Sequence, residues 1–178
     1  MTQRLDFGSG VFSGEPPHTV RTVGELCSIF GDQNAAASMD PGTVVYEIHG
    51  GPAEVEGAGR LLYATTVLHP GRVGSEFFMT RGHFHIDPER GELMFTLRGT
   101  GALILMDRAR DTWTEAMSPG SVHDIDGRHA HRVANTGEEP LIFLVAWMSD
   151  CGHDYASIAE RGFCKRLVAG ERGPELCE

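Results

Sequence analysis

The chain has 178 residues, 40% of them hydrophobic, and a formal net charge of −10 at pH 7. This length suffices for one sizeable core and is short for two, so we expect one domain over residues 1–178, with an N-terminal arm of about residues 1–42 packed on it. The negative charge argues against nucleic acid or an anionic membrane as the main partner, because the average field of the protein repels both.

The sequence carries no sign of a membrane or secretory segment. No stretch approaches the roughly 18 consecutive apolar residues of a membrane helix, and the N-terminus lacks an apolar signal region. The four cysteines are widely spaced and form no C-x-x-C pair: Cys27, Cys151, Cys164 and Cys177. Such spacing is typical of reduced thiols, so we expect a cytoplasmic protein without a membrane partner.

The first predicted element is a short helix. Thr22 and Glu25 have the spacing of a capping box, Leu26 and Phe30 supply the apolar positions, and Gly31 is the expected stop.

Short apolar runs separated by Gly, Pro, Asp and Asn follow this helix, which is the pattern of an all-β domain with many turns. Strands are predicted near 43–49, 60–69, 75–80, 82–86, 92–98, 101–107, 112–116, 121–125, 130–135 and 140–148. Residues 98–101 are predicted to form the tight turn of a hairpin. A second short helix is predicted from Asp154 to Arg161, ending at Gly162.

Two of the predicted strands are apolar on both faces. Residues 141–148 and 103–106 have no polar alternation, so both of their faces need cover. Flanking elements or another subunit must hide the outer face, and this favours a homodimer.

Four residues have the pattern of a metal site. His83 and His85 are two positions apart, and on an extended strand their side chains point to one side, roughly 7 Å apart. Glu92 supplies an oxygen ligand, and His131 a third nitrogen. A set of three nitrogens and one oxygen that leaves coordination positions open suits a divalent ion engaged in chemistry.

These residues belong to longer motifs that resemble those of the cupin superfamily. The shared features are His83-x-His85, Glu92 with Gly99, the turn Pro119-Gly120, and His131 with Asn135. A narrower resemblance, covering roughly residues 20–168, is to the cupin-type glucose-6-phosphate isomerases of archaea and some bacteria. It rests on three segments: 77–85, 130–137 and 152–163.

The resemblance implies a cupin double-stranded β-helix, a jelly-roll barrel with a few short helices. It implies a metal-dependent enzyme that interconverts glucose 6-phosphate and fructose 6-phosphate, with a phosphorylated hexose as its partner. Carried over by position, the metal ligands are His83, His85, Glu92 and His131. The implied substrate contacts are Thr66, Thr80, Gly82, His153, Tyr155 and Tyr46. Fe(II) is the expected ion, with Mn(II), Ni(II) or Zn(II) as alternatives.

The chemistry leaves two routes open. If the hydrogen moves between C1 and C2 as a proton, Glu92 is the expected catalytic base, although coordination weakens the basicity of a carboxylate. A direct hydride shift needs no base. For the phosphate, donors are expected from Thr80, Gly82 and Tyr155, with Arg90 as a further candidate.

The chain departs from the family pattern at two places. Met94 stands where the family has a tyrosine, so the site wall lacks a hydroxyl group. Residues 126–129 replace a proline-rich turn before His131. His123 and His129 share a strand parity with His131 and are alternative ligands, although a turn or solvated role is expected for both.

Two other functions remain open from the sequence. The same metal centre also serves cupin dioxygenases, which would require an apolar or chelating substrate pocket. The chain could also be a non-catalytic cupin that binds a sugar phosphate.

Overall fold

Antiparallel strands form most of the computed structural model, which describes residues 2–14, 19–50 and 57–178. The strands are β1 (Thr19–Thr22), β2 (Val44–Gly50), β3 (Leu61–Leu68), β4 (Arg72–Val73), β5 (Glu76–Phe77), β6 (Phe84–His85), β7 (Glu92–Arg98), β8 (Gly101–Met106), β9 (Thr112–Met117), β10 (Val122–Ile125), β11 (Ala130–Asn135), β12 (Leu141–Met148), β13 (His153–Asp154), β14 (Arg166–Gly170) and β15 (Gly173–Cys177). The helices are α1 (Val23–Leu26), α2 (Gln33–Ser38) and α3 (Ala156–Arg161), with a 3₁₀ helix at Cys27–Ile29. In these ranges no helix is long and apolar enough to cross a bilayer.

The strands form two main sheets. The larger has the order β1-β2-β3-β12-β7-β10, and the smaller has the order β11-β8-β9. Two small sheets, β13-β6 and β15-β14-β5-β4, complete the set. The predicted all-β jelly-roll class is confirmed by this antiparallel architecture.

The chain crosses repeatedly between the two main sheets. Strands β7, β10 and β12 lie in the larger sheet, whereas β8, β9 and β11 lie in the smaller one. The prediction of a hairpin at residues 98–101 is therefore wrong, because β7 and β8 do not pair with each other. The turn is nevertheless tight, with Gly99 at a φ of 79°. Crossing at this turn brings both sheets around one core.

That core is continuous between the sheets. Its cluster of buried side chains includes Leu68 and Leu141 from the larger sheet and Leu103 and Ile104 from the smaller one, each no more than about 1% exposed. Every residue of β8 and of β11 is buried, so both faces of these strands are covered. This matches the two-sided apolar pattern of residues 103–106.

Part of the N-terminal region lies on the outer face of the larger sheet. Phe12 is buried with its ring edge-on to that of Tyr63, at 5.4 Å between centroids. The Gly10 carbonyl accepts a hydrogen bond from the Thr65 hydroxyl of β3. Further along, β1 extends the same sheet by pairing with β2. These contacts agree with a packed N-terminal arm, which stays a prediction.

The strands predicted at 75–80 and 82–86 are much shorter in the structure, where only β5 and β6 form. Met79 and His83 make isolated bridges to β11. Between them Gly82 has a φ of 77°, which interrupts the ladder. The segment therefore runs beside β11 without becoming one strand.

Helix α2 and the hairpin β14–β15 are not predicted from the sequence. Only Ala36 of α2 is buried, and the Asp32 side chain caps the helix by accepting a bond of 2.9 Å from the Ala35 amide. The hairpin joins the rest of the fold where Val168 pairs with Glu76. The helix depends on its cap and the hairpin on a pairing with a distant residue. Neither has an apolar pattern that sequence periodicity would reveal.

Candidate metal centre and cavity

Three strands and one bridge bring the predicted metal ligands together. His85 lies on β6, Glu92 begins β7 and His131 lies on β11. His83 is held opposite His131 by two backbone hydrogen bonds, of 3.1 and 3.3 Å. One potential ligand atom from each of the four side chains lies within 4.8 Å of all the others.

The donor atoms fit a divalent cation. The Nε2 atoms of His83, His85 and His131 are buried and find no hydrogen-bond partner among the described residues. The Glu92 carboxylate oxygens lie 3.6 Å from Nε2 of His85 and 3.6 Å from Nε2 of His131. Unpartnered buried nitrogens around a buried carboxylate are unfavourable unless a cation joins them. The residues present therefore fit a divalent ion, and we refer to this set of three imidazoles and one carboxylate as the metal-binding group.

Backbone carbonyls orient two of the imidazoles. The His85 Nδ1 group donates to the Arg90 carbonyl at 2.5 Å. The His131 Nδ1 group donates to the His129 carbonyl at 3.3 Å. Such bonds fix the tautomer that leaves Nε2 free for a metal. The turn at residues 126–129 therefore supplies a carbonyl that orients His131, although its sequence departs from the family pattern.

Burial and charge set the protonation of the group. Burial lowers the pKa of His83 and of His131, so both imidazoles are neutral at physiological pH. Burial would raise the pKa of Glu92, but His131 and His85 outweigh it and hold that pKa below its ordinary value. Burial lowers the pKa of His85, but the bonds to Glu92 and the Arg90 carbonyl outweigh it, so the pKa is raised. The neutral His83 and His131 and the ionised Glu92 are in the states that a divalent ion requires, whereas binding of the ion would displace a proton from His85.

A cavity of about 560 Å³ opens onto this cluster. His83, Glu92 and His131 line it, whereas His85 is fully buried behind them. All six predicted substrate contacts also line the cavity: Thr66, Thr80, Gly82, His153, Tyr155 and Tyr46. Its size is that of a site for a small molecule.

Two aromatic rings bring hydrogen-bond donors to the metal side of the cavity. The His153 ring lies 4.4 Å from the His83 ring and the Tyr155 ring 5.2 Å from it, between centroids. Burial lowers the pKa of His153 and raises the pKa values of Tyr155 and Tyr46. The two phenols therefore keep their protons and can donate to a polar ligand.

Thr80 and Gly82 are held in place by β11. The Thr80 hydroxyl accepts a bond of 3.0 Å from the Val133 amide, so its own proton remains available to a ligand. A Cβ atom on Gly82 would lie 2.7 Å from the Phe163 ring and 2.9 Å from the Arg132 Cβ. Packing, together with the left-handed φ, thus explains why residue 82 is glycine.

We expect Gly82→Ala to lower the free energy of unfolding by about 3 kcal/mol, the sum of left-handed strain and overpacking. Thermal or denaturant unfolding measures this loss. Gly120→Ala is the matched control, because Gly120 also has a positive φ, 91°, but no atom lies within 4 Å of its added Cβ. Equal losses in the two variants would show that packing at residue 82 contributes nothing.

Sequence reasoning missed the arginines of the cavity. Arg21, Arg81 and Arg132 line it. Arg90, considered for phosphate, instead pairs with Asp150 at 3.1 Å and is not among the lining residues. The sequence did contain a signal for Arg81, because this cationic residue lies between Thr80 and Gly82, two residues of a family motif.

The structure also places Met94, His123 and His129. Met94 is buried and lines the cavity, so the wall is apolar where the family has tyrosine. His123 bonds to Glu115 at 2.7 Å, away from the cluster. His129 packs edge-on against Trp113, with 5.0 Å between ring centroids. Neither of these histidines belongs to the metal-binding group.

Comparisons with known proteins agree with the geometry. The family model for glucose-6-phosphate isomerase matches residues 20–175. The chain is 41% identical over 174 residues to glucose-6-phosphate isomerase from Thermococcus litoralis, covering 96% of this chain and 89% of that protein. The identity and both coverages are the same for the enzyme of this name from Pyrococcus furiosus. In structure, the chain is similar to an oxalate decarboxylase formate complex from Lactobacillus farciminis, with a TM-score of 0.46, 19% identity, and coverage of 62% of this chain and 30% of that chain. The region matched by the family model contains the whole metal-binding group and every predicted substrate contact.

Proposed function

Because the chain belongs to the glucose-6-phosphate isomerase family, we propose that the four-residue cluster and the cavity of about 560 Å³ are its active site. The reaction there is the interconversion of glucose 6-phosphate and fructose 6-phosphate. The observation that carries the assignment is a metal-binding group opening onto a cavity that also holds arginines, hydroxyls and a neutral histidine. Family membership favours this activity over a dioxygenase or a non-catalytic sugar-phosphate binder.

The metal ligands in this proposal are His83, His85, Glu92 and His131. A divalent ion held there would act as a Lewis acid toward the oxygens on C1 and C2 of the sugar. A site of three imidazoles and one carboxylate suits the first-row divalent metals, and Fe(II) is the ion that family resemblance favours among them. Mn(II), Ni(II) and Zn(II) are to be compared with it.

Glu92 is the proposed base. Of the described residues that line the cavity, it is the only one with a carboxylate. Since neighbouring histidines keep it ionised, it can take the proton from one carbon and return it to the other, while the hydroxyl proton passes from the oxygen of one of these carbons to the oxygen of the other. His153 can hold a sugar oxygen by donating a hydrogen bond, which orients the two carbons toward Glu92.

Arg81 is the proposed phosphate ligand, together with Thr80 and Tyr155. The Arg81 guanidinium lies over the Tyr155 ring, 5.1 Å from its centroid, which holds the charge beside two hydroxyl donors. In a chain with a net charge of −10, a dianionic substrate requires such a local cation.

We expect Arg81→Gln to raise KM for fructose 6-phosphate about tenfold, the loss of one charged hydrogen bond. The metal content should stay unchanged, because Arg81 is not a ligand in this proposal. Steady-state kinetics and metal analysis measure both quantities. An unchanged KM would remove Arg81 from the substrate site.

The test of the function is a coupled assay for glucose 6-phosphate formed from fructose 6-phosphate. Chelator-stripped protein is supplied with Fe(II), Mn(II), Ni(II) or Zn(II) separately. Turnover restored by an ion supports both the reaction and the cofactor. Stoichiometric metal binding without turnover for any ion would contradict the proposal.

We also propose a cytoplasmic homodimer. Leu93 on β7 and Val122 on β10 are 45% and 59% exposed. Because Leu93 pairs with Asp124, the side chains of Leu93 and Val122 share one face of the sheet as diagonal neighbours.

Sedimentation is expected to give twice the chain mass for the wild type and the monomer mass for Leu93→Glu. The free cysteines fit a reducing compartment.

A further inference from the structure

A second cavity, of about 280 Å³, lies beside the substrate cavity and is rich in arginine. Arg81, Arg132, Arg161 and Arg166 line it, and we call this set the arginine pocket. Arg81 and Arg132 also line the substrate cavity, so they stand between the two. Four guanidinium groups around one small cavity repel one another unless anions neutralise them.

Arg132 is the buried member of the pocket. It is 4% exposed, and its Nε atom finds no hydrogen-bond partner among the described residues. Its Nη2 atom donates a bond of 3.4 Å to the Lys165 carbonyl. The guanidinium lies over the Phe163 ring, 4.3 Å from its centroid. A buried guanidinium whose N–H donor has no acceptor is unfavourable unless a ligand accepts a hydrogen bond from it.

The acidic groups nearby neutralise only part of the charge of the pocket. Of the described residues that line the pocket, Glu160 alone carries a carboxylate. Glu76, which does not line the pocket, forms an ion pair with Arg166 at 3.3 Å and also accepts a bond of 2.5 Å from the Gly31 amide. These two carboxylates face the four guanidinium groups of the pocket. Arg110, just outside, adds a further guanidinium that donates to the Arg161 carbonyl at 3.3 Å. Positive charge is therefore in excess here, although the chain as a whole is acidic.

We infer that the arginine pocket binds a small phosphate-bearing anion at a site separate from the substrate cavity. Guanidinium groups donate paired hydrogen bonds in the geometry that phosphate oxygens accept. Inorganic phosphate and the phosphate group of a small ester share this chemistry. The site goes beyond the isomerase activity, since Arg161 and Arg166 line the second cavity and not the first.

The test is calorimetric titration of the metal-loaded protein, first with inorganic phosphate and separately with glycerol 3-phosphate. Arg161→Gln should weaken phosphate binding about tenfold by removing one charged donor. Ala159→Glu, which adds a carboxylate to the lining, should weaken it as well. Arg172→Gln is the matched control, because Arg172 is exposed and does not line either cavity. Equal affinity for both ligands identifies free phosphate as a sufficient occupant, and tighter binding of glycerol 3-phosphate identifies an ester.

Three results would overturn the inference. One is the absence of binding by either ligand, and another is equal affinity in the wild type and both pocket variants. The third is a KM for fructose 6-phosphate that rises in Arg161→Gln in parallel with the dissociation constant of phosphate, because the pocket would then belong to the substrate site. If the protein showed no isomerase activity with any ion but the titrations still separated the variants, the function would fail and the anion site would stand.

Discussion

Glu92→Gln is expected to lower kcat for fructose 6-phosphate about a thousandfold at saturating metal, since it removes the proposed base and one anionic ligand. The side chain is 7% exposed. No other described residue that lines the cavity carries a carboxylate, so no similar group there can replace it. The glutamine amide has nearly the same shape, so the fold should persist. Steady-state kinetics at several metal concentrations measures the loss.

The control for this variant is Glu47→Gln. Glu47 lies on β2 between Tyr46 and Ile48, which face the cavity, so its own side chain points to the opposite face and pairs with His69 at 2.9 Å. Its kcat should match the wild type. Isomerisation in D₂O separates the two routes, because proton transfer through Glu92 admits deuterium to the product carbon and a hydride shift does not. A Glu92→Gln enzyme with full metal and a kcat within tenfold of the wild type would refute the base assignment.

His131→Ala is expected to weaken metal binding by more than about 100-fold, because losing a direct ligand exceeds the effect of losing a group that only orients one. Activity should disappear at ordinary metal concentrations for the same reason. The backbone bonds between His83 and His131 do not involve the imidazole, so the strands should remain in place. Metal analysis, kinetics and circular dichroism test the three statements.

His123→Ala is the matched control, because His123 is also a strand histidine and is 6% exposed. Its ring nitrogens bond to Glu115 and Ser121 rather than to the metal-binding group. Its metal content should equal that of the wild type. If His131→Ala kept its metal while His123→Ala lost it, the ligand set would be wrong.

The sequence predicted the metal-binding group partly from local spacing and partly from resemblance to a family. His83 and His85 are two residues apart, and any extended backbone puts such side chains on one face. Glu92 and His131 were found through motifs that resemble a family, and the structure brings all four within 4.8 Å. The helix signals at Thr22 and Asp154 are local too, since a cap acts within one turn. Asp154 accepts from the Ser157 amide at 3.0 Å, as such a cap does.

Other features depend on residues that are distant in the sequence. Residues 98–101 have the composition of a hairpin turn, yet which strands pair is decided by the competition of whole sheets for a shared core. The hairpin β14–β15 is attached through the pairing of Val168 with Glu76, 92 positions apart in the chain. No periodic pattern in the sequence predicts that contact.

Sequence alone thus determined the all-β class, and it predicted the four residues of the metal-binding group and the six residues that line the cavity, because each rests on spacing or on resemblance to a family. Only the tertiary structure decided which cations lie at the cavity: Arg81 lines it, whereas Arg90 turns to Asp150. It also gathered Arg81, Arg132, Arg161 and Arg166 into one pocket. The physical reason is that charges interact through space, and the folded backbone, not the order of residues, sets those distances.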